Sequence, residues 1–248
     1  MQEGFETTYH AVEERHWWFT GRRALVRQLV RRASTGCDAR ILEIGCSGGP
    51  LLQQLRRDGF SNLTGIDISR DAIAVCAKRG VPNVFVMDAQ HLEYPAESFD
   101  VITASDVLEH LADAPTALRE WHRALRPGGK LIVFVPAFMF LWSQHDVANQ
   151  HKHRYTASEL RVALQQAGFA VERLAYWNFL LFAPAALVRL MKNLVSRPAS
   201  ATGQGDLKQT SKPLNAVLQF ILNIENRLLL AGLNFPFGIS AWAVARKS

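Results

Sequence analysis

The feature that most constrains the fold is a regular alternation, between residues 38 and 136, of short apolar runs and helical stretches. The runs are Arg40–Ile44, Leu63–Ile66, Val84–Met87, Val101–Ala104 and Leu131–Val135. Each is nearly continuous in apolar side chains, the pattern of a strand buried on both faces of a parallel sheet. Between them, Pro50–Asp58 closes before Gly59, Asp71–Arg79 starts behind Ser69 as an N-cap and ends at Gly80, and Pro115–Leu125 stops before Pro127-Gly128-Gly129. Repeated β-α-β at this spacing predicts an α/β fold with a doubly wound, Rossmann-like sheet.

Beyond residue 150, Thr156-Ala157-Ser158-Glu159 has the pattern of a capping box, opening a helix that ends at Gly168. Phe169–Tyr176 and Ile239–Ala245 read as two more strands. Residues 178–236 between them are an insert that a plain sheet does not need. It consists of an apolar piece, Phe179–Val195, a linker, Ser196–Pro213, and an amphipathic helix, Leu214–Leu230. In that helix Leu214, Val217, Leu218, Ile221, Ile224 and Leu228 form an apolar stripe, with Asn215, Gln219, Asn223, Asn226 and Arg227 opposite. The organisation expected is an aromatic and basic helical segment over 1–36, followed by one domain over 37–248 that carries the insert as a helical cap. A chain of 248 residues with 48% hydrophobic and 20% charged residues suits a single large core.

Charge is unevenly placed. Residues 1–150 hold 16 Lys and Arg against 18 Asp and Glu, whereas residues 151–248 hold 12 against 4. A basic second half suits an acidic partner such as anionic lipid or a phosphorylated substrate. Nucleic acid is disfavoured, because the basic residues are dispersed among hydrophobic runs and no RNA-binding module is present. The polar stretch Met1–Tyr9 does not read as a secretory leader, and Cys37, Cys46 and Cys76 match no metal or redox spacing. The expectation is a cytoplasmic protein with reduced thiols.

The segment Ile41–Gly49 runs from a strand into a Gly-rich turn and then a helix, and glycine alone lets the backbone bend there and approach a ligand closely. The second strand ends in Gly65-Ile66-Asp67, placing a carboxylate 18 residues beyond Gly49, where it can accept hydrogen bonds from both hydroxyls of a ribose. These two features alone also fit an NAD(P)-binding oxidoreductase. The longer pattern is more specific. Glu43-Ile44-Gly45-Cys46-Ser47-Gly48-Gly49 resembles the first motif of class I S-adenosylmethionine-dependent methyltransferases, and Gly65-Ile66-Asp67-Ile68-Ser69 resembles the second. Met87-Asp88-Ala89 is similar to the motif whose acid faces the adenine amino group. Ser98–Ile102, Asp106-Val107-Leu108-Glu109-His110-Leu111 and Leu125-Arg126-Pro127-Gly128-Gly129-Lys130 complete a series similar to the small-molecule members, including the quinone-biosynthesis methyltransferases. The resemblance implies a seven-stranded sheet of order 3-2-1-4-5-7-6. It also implies S-adenosyl-L-methionine as cofactor, held by Glu43, Gly45, Cys46, Gly49, Asp67, Ile68, Asp88, Ala89 and Ser105. Ser47 departs from the pattern, standing where many relatives have a glycine. A non-catalytic binder of the same cofactor is the contrasting reading.

Methyl transfer from a sulfonium is a direct displacement, so the protein chiefly aligns the acceptor, and an acceptor hydroxyl also benefits from a base. Histidine suits that role near neutral pH. The segment after the fifth strand is rich in candidates: His145, Asp146, His151, His153, Arg154 and Tyr155. His145, His151 and His110 are the expected catalytic histidines. Asp146, His153, Arg154 and Tyr155, together with Trp17, Trp18, Arg22 and Arg23 of the first segment, are the expected acceptor-binding residues. Tyr9, His16 and Phe19 accompany that segment. Segments Glu14–Phe19 with Gly21–Arg23, and Trp142–Asp146, resemble ones recurring in a subgroup of uncharacterised bacterial methyltransferases, which names no substrate. No metal is expected. A set made of His145, Asp146 and His151 fits no closed zinc spacing, and His110 beside Glu109 reads as another base or metal ligand. The acceptor expected is a small or lipid-linked molecule, methylated on oxygen. The insert over 178–236 serves as a cap over the acceptor pocket, as a lid dipping into a membrane surface, or as a dimer contact.

Overall fold

The structure, a computed structural model, describes residues 12–195 and 210–248; Tyr9 and most of the 196–213 linker lie outside them. Seven strands form one sheet: β1 (Ile41–Ile44), β2 (Leu63–Asp67), β3 (Val84–Val86), β4 (Phe99–Ser105), β5 (Leu125–Pro136), β6 (Phe169–Trp177) and β7 (Ser240–Lys247). Their order is β3-β2-β1-β4-β5-β7-β6, the order that the resemblance implies. The first five strands are parallel, and β7 lies antiparallel between β5 and β6. The helices are α1 (Trp17–Ala33), α2 (Pro50–Arg57), α3 (Arg70–Lys78), α4 (Ala114–Ala124), α5 (Gln144–Ala148), α6 (Ala157–Gln166), α7 (Phe182–Val195) and α8 (Lys212–Leu230).

Local chemistry sets the helix starts. Ser69 accepts from the Ala72 N–H at the head of α3, and Thr156 and Glu159 close a reciprocal capping box on α6. α4 begins one residue earlier than its Pro115 suggests, because Asp113 caps it through the Thr116 N–H. β5 is longer than its apolar run. Leu125 already pairs with Phe99, and the Pro-Gly-Gly stretch is taken up as a register shift rather than a break.

Register decides where the strands end. Ile44 lies opposite both Ile66 and Ala104, and Ser105 opposite Phe134, so Gly45, Asp67 and Ser105 emerge on one rim of the sheet. In a doubly wound sheet this carboxyl edge is where ligands bind. One core cluster, around Trp121, Leu118, Leu160 and Leu164, lies beneath α4 and α6. The opposite cluster joins Leu25, Val26 and Leu29 of α1 to Trp177 and Trp242 of the sheet. Full burial of each large apolar side chain is worth roughly 1.5–3 kcal/mol.

The insert packs by a face other than its apolar stripe. In α8 the buried residues are Leu222, Glu225, Asn226 and Leu229, while Leu214, Val217, Phe220, Ile224 and Leu228 are exposed. Polar anchoring explains the rotation. Asn226 accepts from the Trp177 indole N–H at 2.9 Å and donates to the Gly21 carbonyl at 2.8 Å. The Glu225 carboxylate accepts the backbone N–H groups of Asn178, Phe179 and Leu180. Leu222 lies directly over Gly21, where an added Cβ would stand 2.6 Å from the leucine Cδ1. Gly21→Val is therefore expected to destabilise the protein by about 1–3 kcal/mol in urea unfolding; an unchanged midpoint would show that α8 does not dock on α1.

Candidate active site

The carboxyl edge opens into a cavity of about 910 Å³. Its first half is built by the ends of β1, β2 and β4. Gly45 takes φ +71°, and an added Cβ would stand 2.5 Å from a Val107 methyl, so only glycine fits this bend. Its N–H and that of Cys46 both donate to the Ile66 carbonyl, which locks the turn. The Asp67 carboxylate accepts the N–H of Ser47 and of Ser69, each at 2.9 Å, and it lines the cavity. Ser47 also holds a left-handed backbone, and its hydroxyl donates to Glu13 at 3.0 Å, latching the segment before α1 onto the glycine turn. Ile68 is 71% exposed at the rim, and Met87, Asp88 and Ala89 face it across the same opening. An apolar slot with an acid at each end fits an adenosine. The Ser105 hydroxyl, buried without a partner among the described residues on the same wall, offers a further polar group.

The second half is built by the loops after β4 and β5 and by the first segment. Asp146 is fully buried and binds Arg154 through Nε at 2.7 Å, the Ser143 N–H at 2.8 Å and His151 Nδ1 at 2.8 Å. Burial alone would raise its pKa, but His151, Arg154 and Ser143 together hold it well below the usual carboxylate range. Glu109 is 1% exposed, no other described residue donates to either carboxylate oxygen, and burial followed by the charge of Asp106 pushes its pKa well above the ordinary value. His110 is exposed at the cavity wall; desolvation by the groups packed around it, and then the charge of His151, lowers its pKa. The His110 and His151 rings meet edge to face at 4.7 Å, and His145 lies 6.1 Å from His151.

Of the residues singled out in the sequence, Gly45, Asp67, Ile68, Asp88, Ala89, Ser105, Trp17, Trp18, His110, His145, His151 and Arg154 line this one cavity. His16 and Phe19 line it too, and the remaining expected cofactor and acceptor residues sit outside its lining. Glu43, Cys46 and Gly49 belong to the glycine turn and its strand: Glu43 is half-buried, Cys46 is buried and Gly49 caps α2. Arg22, expected to meet the acceptor, is instead buried between the Trp18, Phe134 and Trp177 rings and bonds to Asp106 and Ser240. Arg23 donates to the carbonyls of Glu13 and Glu14. Tyr155 is buried, bridging to Ala137, and His153 faces Glu159 at the surface. Asp146 stands behind the wall as a support for His151. Sequence reasoning passed over Glu109, Asn149, Asn178 and Arg189, all of which line the cavity. Glu109 had a signal, since it lies inside the motif that ends in His110. Asn149, Asn178 and Arg189 had none, because their placement depends on how distant loops fold together.

A glycine bend after β1 and an acid at the tip of β2, on a 3-2-1-4-5-7-6 sheet, define the Rossmann-like methyltransferase class. A family model described as a methyltransferase domain matches residues 18–174, and the chain belongs to that family. S-adenosyl-L-methionine is the cofactor of this class. The methyltransferase GfsG of Streptomyces halstedii is 31% identical over 116 residues, covering 44% of this chain and 42% of its own. A ubiquinone biosynthesis O-methyltransferase of Pseudomonas aeruginosa is 32% identical over 101 residues, covering 38% of this chain and 43% of its own. The chain thus spans less than half the length of these curated relatives. Among solved structures, the [4+2]-cyclase SpnF superposes with a TM-score of 0.59 at 23% identity, over 90% of this chain and 79% of the other. That likeness concerns the fold alone, and a cyclase on this fold illustrates that the fold does not name the reaction.

Proposed function

We propose that the protein transfers a methyl group from S-adenosyl-L-methionine to an oxygen of a small or lipid-linked acceptor. The observation that carries this reading is a single cavity joining the Asp67 and Asp88 strand tips to a wall of Glu109, His110, His145 and His151. Asp67 would hold the ribose and Asp88 the adenine edge, with Ile68 and Met87 flanking the base. The cofactor supplies a methyl group on a sulfonium, an already activated leaving group. What remains for the chain is to place a hydroxyl in line, exclude water and take its proton. Trp17, Trp18 and Arg189 would bound the acceptor, and His145 would receive the proton as the O–CH3 bond forms. Asp67→Ala is expected to weaken S-adenosylhomocysteine binding by about 1.5–3 kcal/mol, the worth of charge-assisted hydrogen bonds, with calorimetry as the measurement; unchanged affinity would sink the assignment. For an acceptor that is turned over, His145→Ala should lower kcat by about 10²–10⁴-fold while leaving cofactor affinity intact. A kcat close to wild type would remove His145 as base.

The lipid-linked form of the acceptor is supported by a separate observation. Leu187, Val188 and Met191 of α7 and Val217, Phe220 and Ile224 of α8 are exposed, in the basic half of the chain. None of the described helices is long and apolar enough to cross a membrane. Such faces suit shallow insertion at an anionic surface, which for a cytoplasmic protein would be the inner leaflet. The full chain is expected to float with anionic vesicles, and Val217→Asp with Phe220→Asp to abolish flotation. Wild-type protein that stays at the bottom of the gradient, or that instead dimerises with concentration, would overturn membrane contact.

A further inference from the structure

We infer that Glu109, His110 and His151 form a site for a divalent transition-metal cation of the zinc type, open toward the acceptor half of the cavity. The inference deepens the proposed methyl transfer and rests on it only for the cation's purpose, not for its binding.

One ligand atom from each of the three residues lies within 4.8 Å of the other two. Ligand atoms sharing one tetrahedral zinc stand about 3.4 Å apart, given metal–ligand lengths of about 2.0–2.2 Å. Small side-chain rotations close that difference. Glu109 supplies the oxygen ligand of the set. A carboxyl group that is 1% exposed with no donor from another described residue on either oxygen is an uncommon arrangement, and a cation in front of it removes the penalty. The cationic side chains closest in charge to it, Arg154 and Arg22, are already engaged by Asp146 and Asp106.

The two imidazoles are prepared as ligands. His151 Nδ1 bonds to the Asp146 carboxylate at 2.8 Å, which leaves Nε2 for the cavity and reproduces the carboxylate–histidine support common behind metal-bound imidazoles. The His110 ring stands edge to face against the His151 ring at 4.7 Å on the same cavity wall. The two loops that carry the set are pinned together, because the Lys152 N–H donates to the Glu109 carbonyl at 2.6 Å. Two imidazoles and one carboxylate with an open side suit zinc, cobalt, manganese or iron rather than magnesium, which prefers oxygen ligands and water. A hydroxyl bound on the open side would lose its proton more readily.

The test uses the full chain stripped with a chelator and titrated with Zn²⁺ by calorimetry, with Co²⁺ absorption as a second readout. The expected result is one Zn²⁺ per chain at about micromolar affinity or tighter, and Co²⁺ bands of an ordered, low-symmetry site. Glu109→Gln and His151→Ala should each lose at least about tenfold in affinity, and Asp146→Asn about 10–100-fold. His145→Ala should bind the ion as wild type does. S-adenosylhomocysteine binding, expected to be unchanged throughout, reports that each variant is folded. Absence of stoichiometric binding by the wild type, or equal binding by the Glu109 and His151 variants, would overturn the site. Methyl transfer undiminished in the metal-free protein would overturn its catalytic purpose and leave the proposed reaction standing. Tight Zn²⁺ binding without any methyl transfer would do the reverse.

Discussion

The Arg22 guanidinium ties together more of this structure than any other single group. It is 4% exposed, bonds to Asp106 after β4 and Ser240 at the start of β7, and lies against the rings of Trp18, Phe134 and Trp177. One side chain from α1 therefore touches the ends of β4, β5, β6 and β7. Burying a guanidinium is unfavourable unless its donors are met; Asp106 and Ser240 meet the two terminal nitrogens, the rings cover its faces, and Nε has no partner among the described residues. The consequence reaches the cavity. Asp106 is held in a left-handed backbone conformation, as are Ser47, Gln150 and Asn178, and all four line the opening. Non-glycine residues rarely hold that conformation unless surrounding contacts impose it.

The same clamp explains why the segment before the sheet belongs to the site. With α1 fixed across the strand ends, Trp17 and Trp18 face the cavity, while Glu13 and Glu14 reach the glycine turn through Ser47 and Arg79. The insert then rests on α1 through Asn226 and Leu222 rather than on the sheet alone. Cofactor turn, acceptor wall and insert are thus mechanically connected through one helix.

How legible this was in the sequence follows from the range of the forces involved. The strands, the caps at Ser69 and Thr156 and the level strand tips come from local patterning, and they stand where the pattern put them within a residue or two, except that β5 starts at Leu125, six residues before its apolar run. α8 did not follow its pattern. Its apolar stripe marks the outward face, because a buried glutamate receiving three backbone N–H groups and an asparagine bridging Trp177 and Gly21 outweighed apolar burial. Arg22 was misjudged for a related reason. A charged residue beside aromatics reads as a surface recognition group, and only the folded chain reveals that Asp106 and Ser240, far along the sequence, complete its bonds. Glu109 and His151 are separated by a strand, a helix and a long loop, so no spacing rule could have paired them.

The long loop after β5 carries His145, Asn149, Gln150, His151 and Arg154 of the cavity wall without a sheet to support it. Residues 137 and 155 are bridged as neighbouring strands would be, which ties off the excursion at its base. Inside it, Arg154 reaches back to the Ala137 carbonyl and grips Asp146, which in turn holds the first turn of α5 and the His151 ring. A buried ion pair of this kind adds little net stability over a well-packed apolar pair. Its advantage is direction: apolar packing would fill the loop but could not fix which nitrogen of His151 faces the cavity. The charge that stabilises the loop and the charge that orients the histidine are the same carboxylate, so the loop cannot hold this shape without also presenting His151 in one tautomer toward Glu109 and His110.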